Sequence, residues 1–504
     1  MRQKIKLFIV LFLVCAPAMR AKTPYQQEIE AILADPALQG ASVGICAETL
    51  DGKRMVEIDP DRLLVPSSNL KLITTGAALY HFGKDFRFKT KLAYSGTIKD
   101  STLTGNVYII GGADPTLGSV DAIAVKEDDL FGSWAKALLK AGIRHIRGEV
   151  IGDGSYLDGM KESPLWQYDD IGTYYGSGTS GLQWHENYIS IKVSPGFQVG
   201  DSLNIEFIGP ATPWIDYQLP CRTGERGSGD QVYLYTHDDS RTAILTGCFA
   251  LGKPVKNLKV SNKFPERTCA YLFDDYLRKQ GFSTRGYNAF DPLSDTLVRP
   301  KKLHPLVETD SPSLKDIVRS CNNESNNIYA ETLLRVLGKE MCGSACYDSS
   351  LVALDSVLFT LGISGRDSSG RKRDGLIRDG SGLARHNLLS AGYMCRFLRA
   401  MAASPCYKDY ITTLPTPGLH GTVQPCLRLL PSSERRRVKM KSGSMSGIRC
   451  YSGYITPSHG SENSQILVFS LLINNTTMDQ YQQRAITDKI ISALLKCKAP
   501  EISE

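Results

Sequence analysis

From about residue 86 to residue 300 the chain is a series of short strand-like runs set between Gly, Asp, Ser and Pro, and the pattern on both sides of it is helical. That texture constrains the fold more than any other feature, because a long run of short strands between turn residues reads as a β-rich region set apart from the helical segments on both sides. The runs Lys91 to Gly96, Gly105 to Gly111, Gly148 to Gly152 and Asn187 to Val193 carry the pattern. Ahead of it, Ala41 to Glu48 alternates around Val43 and Ile45, and Asp51-Gly52 marks a tight hairpin into Arg54 to Ile58. Pro66-Ser67 then leads into Ser68 to Phe82, where Leu70, Ile73, Ala77 and Tyr80 fall at helical spacing and Gly83 supplies a stop. Beyond it, helical periodicity returns at Leu314 to Ser320, Asn327 to Leu337 and Ser390 to Ala403. The chain closes with a strand pair, Val438 to Ser444 and Cys450 to Ile455, an apolar strand from Ile466 to Ile473, and a helix from Gln482 to Cys497.

Charge and cysteine content narrow the function classes. Arg2, Lys4 and Lys6 precede an apolar run from Leu7 to Ala16, too short for a comfortable membrane span, so residues 1–21 read as a secretory signal with cleavage after Ala18 or Ala21. Cys15 follows Val14, where a lipid-attachment signal wants a small residue. Four of the 59 basic residues (Arg2, Lys4, Lys6, Arg20) and none of the 52 acidic ones fall in that leader, which leaves 55 against 52, or about +3. With Arg435, Arg436 and Arg437 as the one dense basic run, nothing argues for nucleic acid. Losing Cys15 leaves twelve of the 13 cysteines, an even number that makes some disulfides an expectation for an exported chain. Cys342 and Cys346 form the close pair; His304 and His386 are too distant in sequence to complete a zinc site, so a local disulfide or free thiols, and no metal, are expected.

The chemistry begins at Ser68-Asn69-Leu70-Lys71. Serine needs a neighbouring base, and positions i and i+3 share a helix face, so Lys71 can reach the Ser68 hydroxyl. A helix N-terminus and a desolvated pocket both disfavour an ammonium and help Lys71 act as a base. Two further elements follow: Ser325-Asn326-Asn327 at the mouth of a helix and Lys441-Ser442-Gly443-Ser444 on a strand. The order Ser-x-x-Lys, Ser-x-Asn, Lys-Ser/Thr-Gly is the active-serine signature of penicillin-interacting enzymes. Ser320-Cys321-Asn322 also satisfies the middle element. Leu314 to Ser320 reads as the end of one helix and Ile328, Glu331 and Leu334 as the start of the next, which favours Ser325 and Asn327.

About 250 residues separate Lys71 from Ser325, whereas compact β-lactamases place these elements on one helical domain. With that spacing, and with Pro66-Ser67-Ser68, Gly111-Gly112-Ala113-Asp114-Pro115-Thr116-Leu117, Ser325 to Glu331, Asp379-Gly380-Ser381-Gly382-Leu383-Ala384-Arg385-His386-Asn387, Leu414-Pro415 with Gly418, and Lys441 to Ser444, the chain resembles the D-alanyl-D-alanine carboxypeptidase/endopeptidase family of penicillin-binding protein 4, low-molecular-mass class C, from about residue 26 to 497. The resemblance implies an α/β (α+β) fold: a transpeptidase/β-lactamase-like antiparallel sheet flanked by helices, with residues 22–85 and 301–504 forming the catalytic domain and 86–300 the inserted β-rich domains.

The resemblance also implies roles. Ser68 attacks the carbonyl of the penultimate D-alanine and Lys71 takes its proton; Ser325 relays a proton to the leaving nitrogen and Asn327 orients the substrate's peptide group. Lys441 and the Ser442 hydroxyl hold the terminal carboxylate, with Gly443 between them and Ser444, whose N–H joins that of Ser68 in the oxyanion hole. Ser442 stands where Thr is usual, a departure that keeps the hydroxyl. Asp153, in Asp153-Gly154-Ser155, only loosely fits the family's Asp-x-Ser element, which with Arg385 reads the diamino acid of the stem peptide; a turn residue among glycines is the plainer account of it. His386 with Asp379 does not make a Ser/His/Asp triad, since Lys71 already serves as base, and Gly111-Gly112 lacks the Gly-Lys-Ser/Thr of a phosphate loop. The implied partners are peptidoglycan stem peptides and acylating β-lactams, in the periplasm, with no cofactor; peripheral membrane association and oligomeric state stay open. The rival functions are a β-lactamase or esterase on the same scaffold and a non-catalytic β-lactam sensor or cell-wall binding protein.

Overall fold

The computed structural model describes residues 23–238, 240–291, 297–363, 375–458 and 465–497, and the leader read in residues 1–21 lies outside them. Its central sheet has five strands in the order Arg54–Ile58, Ser42–Thr49, Leu467–Asn474, Ile448–Ile455, Val438–Met445, each antiparallel to its neighbour. The two ends of the chain thus meet in one sheet. All eight residues of Leu467–Asn474 are buried, as expected of a largely apolar middle strand, with Ser470 and Asn474 as its polar members. Successive side chains point to opposite faces, so Val468 and Leu472 join one core while Leu467, Phe469, Leu471 and Ile473 join the other.

On the first face lie Lys71–Phe82, Leu314–Glu324, Asn327–Cys342, Tyr347–Thr360 and Ala391–Ala403; on the second, Gln480–Leu495 packs beside Pro24–Leu33. The predicted Ser68 to Phe82 helix is a short 3₁₀ turn, Ser67–Leu70, running into the α-helix Lys71–Phe82, whose residues 71–79 are all buried. No helix of the described residues is long and apolar enough to cross a membrane.

The insertion contributes no strand to the central sheet among the described residues. It has its own mixed sheet, ordered Tyr287–Ala289, Val150–Asp153, Val107–Ile110, Lys89–Tyr94, His304–Asp310, and a smaller β unit around Tyr188–Ser194 and Thr242–Ala250. One correction follows. His304–Asp310 pairs with Lys89–Tyr94, so the insertion runs to about residue 310 and not to 300. Within this β-rich region Glu127–Lys140 and Pro265–Lys279 are helices whose Leu130, Phe131, Trp134, Phe273 and Leu277 form its core. Leu130, Trp134 and Leu138 repeat every four residues behind an acidic first turn, a helical signal that the surrounding strands obscured. The twelve described cysteines, Cys342 and Cys346 among them, are all free thiols.

Candidate active site

Three elements of the sequence meet between the sheet edge and the first helical layer. Ser68 sits in the 3₁₀ turn and Lys71 opens the helix after it. Ser325 caps the Leu314–Glu324 helix in a left-handed conformation (φ 61°, ψ 37°), Asn326 caps the next helix through its side chain, and Asn327 is that helix's first residue. The sequence reading ended the first helix at Ser320; it continues one turn further, because the left-handed residue that can stop it is Ser325. Lys441 comes from the edge strand Val438–Met445.

The Lys71 ammonium is fully buried and donates to Ser68 Oγ at 2.9 Å, Asn327 Oδ1 at 2.7 Å and the Ser381 carbonyl at 2.7 Å. Two of these partners can only accept. Once Lys71 is neutral, its two hydrogens stay with Asn327 and Ser381 and its lone pair faces the Ser68 hydroxyl. Burial pulls Lys71 down to about 8, against the opposing pull of Cys321, Asp379 and Glu331, so its neutral form is accessible near neutral pH. Lys441, also fully buried, donates to Ser325 Oγ at 2.8 Å and to the Ser442 carbonyl at 2.9 Å. Burial, and secondarily the Lys71 charge, push it well below the ordinary lysine value.

Close backbone approaches hold the serine. Gly382 has φ +84°, and a Cβ there would stand 2.0 Å from the Ser67 carbonyl oxygen; a Cβ on Gly443 would stand 2.7 Å from the Pro66 carbonyl oxygen. Ser67 itself is left-handed (φ 49°), a conformation that costs about 1–3 kcal/mol and persists where the surroundings over-determine it. The turn carrying Gly382 is tied from below by two buried carboxylates. Glu331 accepts from the Gly380 and Ser381 N–H groups at 3.0 and 2.8 Å, and Asp379 accepts from Gly382, Ala384, Asn387 and Trp166. Burial and the Asp379 charge push Glu331 up to about 7. His386 is exposed and makes no bond to Asp379, whose oxygens are taken by those donors.

Of the residues singled out in the sequence, Ser68, Lys71, Ser325, Asn327 and Lys441 form one cluster. Ser442, Gly443 and Ser444 line the strand beside it, and the Ser442 hydroxyl bonds that of Thr422 at 2.7 Å. The upstream pair is directed elsewhere: Ser320 bonds Asp121, and Asn322 is buried against Thr413 and Thr75. Arg385 lies at the rim, donating to Gln167 at 2.8 Å and facing the Ser446 carbonyl. Asp153 is a correction. It lies in the insertion's sheet, paired with Arg299 at 2.7 Å and accepting from the Ser155 N–H, and shares no contact with Arg385. The charge of Arg385 acts on Asp170, on the segment that follows Trp166. The sequence reading also missed Ser381, Glu331, Thr422 and Tyr175, whose carbonyl accepts from Asn327 at 2.9 Å. Glu331 had a signal in the Ser325 to Glu331 run; a carbonyl acceptor has none, since every residue type supplies one. Among the described residues no group of three His, Cys, Asp or Glu is placed to hold a metal.

This arrangement can activate a serine through one buried lysine and place a second buried lysine beside it. Comparison with known proteins agrees. The H. influenzae penicillin-binding protein 4 (dacB) crystal structure superposes with a TM-score of 0.78 over 93% of this chain and 99% of that one, at 21% identity, and so shares the fold. The D-alanyl-D-alanine carboxypeptidase of Actinomadura sp. (strain R39) is 27% identical over 465 residues, covering 90% of this chain and 81% of the relative. The D-alanyl-D-alanine carboxypeptidase DacB of Haemophilus influenzae is 22% identical over 84% of each. The model of the D-Ala-D-Ala carboxypeptidase 3 (S13) family matches residues 25–496, and on that extent the chain belongs to this family of serine-type peptidases.

Proposed function

We propose that the protein is an exported DD-peptidase that cleaves peptidoglycan stem peptides through an acyl-enzyme on Ser68, by carboxypeptidase or cross-link endopeptidase cleavage, and that β-lactams acylate the same serine. The observation that carries this reading is the Lys71 amine, held by two acceptor-only partners with its third contact on Ser68 Oγ. In the first half of the cycle Lys71 takes the Ser68 proton as the Oγ–carbon bond forms. The carbon–nitrogen bond then breaks, and the leaving nitrogen takes up a proton through Ser325, which Lys441 holds in place. The terminal carboxylate rests on Lys441 and Ser442. Arg385, with Gln167 and Asp170 in place of Asp153, faces the diamino acid of the stem peptide. Water then releases the acyl group.

A β-lactamase needs fast deacylation, for which a carboxylate beside the acyl carbon is one means of activating that water. The buried carboxylates of Glu331 and Asp379 have their oxygens on backbone N–H and side-chain donors of the turn behind Lys71, which favours the slow-deacylating peptidase. A complex with a β-lactam is known for the H. influenzae protein, and the basic-then-apolar leader supports export to the periplasm. Benzylpenicillin should leave an adduct that peptide mapping places on Ser68 and that Ser68→Ala abolishes. Digestion of purified peptidoglycan should release D-alanine, convert dimers to monomers, or both. An adduct elsewhere, or no product of either kind, would overturn the proposal.

A further inference from the structure

We infer that the cavity beside Ser325 is the subsite for the side chain borne by the leaving amine, and that it selects side chains carrying N–H donors or an ammonium over anionic ones. The inference rests on the acyl-transfer reading above and adds to it the class of leaving group. A cavity of about 460 Å³ opens onto Ser325 and Asn327. One wall is the turn between the two helices, Glu324 to Ile328; the other comes from the insertion through Val120, Tyr174, Glu186 and Lys259.

The position follows from the chemistry. As the Ser68 Oγ–carbon bond forms and the carbon–nitrogen bond breaks, the nitrogen gains the proton that Ser68 lost, delivered at Ser325. The carbon bonded to that nitrogen therefore lies beside Ser325. It bears the carboxylate directed to Lys441 and Ser442, and one side chain. In D-alanine that side chain is a methyl, which leaves nearly all of the cavity unused. In a cross-link closed through a diamino acid whose leaving amine stands next to a carboxylate, it is the chain leading to a second stem peptide, with amide N–H groups along it.

The walls fit that second case. Three carboxylates, Asp121, Glu186 and Glu324, line the cavity against one amine, Lys259, which lies 4.4 Å over the Tyr188 ring. Asp121 is occupied by Ser320 and Tyr329. Glu186 is held by Ser119 and by Asn326 at 2.7 Å, and it sits in a run of three left-handed residues, His185, Glu186 and Asn187, with φ of 52°, 51° and 54°. Such backbone persists where packing imposes it. Glu324 is exposed at the mouth, and its charge acts on Lys441. Acceptors are in excess, so an incoming donor gains bonds and an incoming anion meets like charge.

The test is a set of stem-peptide substrates ending in D-Ala-D-lysine, D-Ala-D-norleucine and D-Ala-D-glutamate, assayed for kcat/KM with the full chain. D-lysine should be released at least about tenfold faster than D-glutamate with D-norleucine between them, and Glu324→Lys should reverse the order of the two charged leaving groups. Equal rates for the three in the wild type, or an order unchanged in a Glu324→Lys variant with wild-type circular dichroism, would overturn the subsite. Benzylpenicillin acylation of the same preparations separates the two failures. Acylation at Ser68 without the ranking removes the subsite alone, and a wild-type chain that benzylpenicillin does not acylate removes the acyl-transfer reading together with it.

Discussion

The pH dependence of acylation follows from the surroundings of Lys71. With Lys71 at about 8, roughly one molecule in ten carries the neutral base at pH 7 and roughly one in a hundred at pH 6. The second-order rate of benzylpenicillin acylation should therefore rise about tenfold per pH unit between 6 and 7 and level off above 8. The sign is set by burial. Desolvation disfavours the ammonium and moves the limb down from the ordinary lysine range, while the carboxylates of Asp379 and Glu331 keep it from falling further. Stopped-flow acylation across pH 6–9, with Lys71→Ala alongside, is the assay. Lys71→Ala should lose at least about a hundredfold at pH 8 and lose the limb with it. A flat wild-type profile, or the same limb in Lys71→Ala, would refute the assignment of the base.

Ser325→Ala should slow D-alanine release at least about tenfold by removing a positioned proton relay, with Ser320→Ala near wild type; the opposite order on a D-Ala-D-Ala peptide, with circular dichroism controlling for folding, would move the site to the upstream pair. Gly382→Ala places a Cβ 2.0 Å from the Ser67 carbonyl at φ +84°, so the turn must shift. It should lower the melting temperature by several degrees, as a loss of about 1–2 kcal/mol does, and slow acylation at least about tenfold. Wild-type acylation in that variant would show that the turn does not position Ser68.

What could be read from the chain was local. Ser68 and Lys71 are three residues apart on one helical path, and the largely apolar stretch of the middle strand announces burial on both faces, because these patterns repeat within a few residues. What could not be read depended on contacts across hundreds of residues, such as Lys71 with Ser381 at a separation of 310, or on the backbone, whose carbonyls carry no residue identity. Asp153 shows the cost of reading by pattern: a carboxylate ahead of a serine looks the same on paired strands as at a cleft, and only its partner, Arg299, tells them apart. The insertion's helices were hidden for a similar reason, since their apolar period of four lay among strand-like runs that set the expectation for the whole region. The two lysines carry the physical logic furthest. Each is fully buried, a costly arrangement for two like charges in one site, and each is bonded to an element the sequence keeps far apart from it, Lys71 to Asn327 and Ser381 and Lys441 to Ser325. The insertion supplies part of that enclosure through the Tyr175 carbonyl on Asn327, which in turn holds the amine of Lys71. A segment that adds no strand to the central sheet thereby helps fix the base, and the long separation between Lys71 and Ser325 is occupied by residues that the site uses.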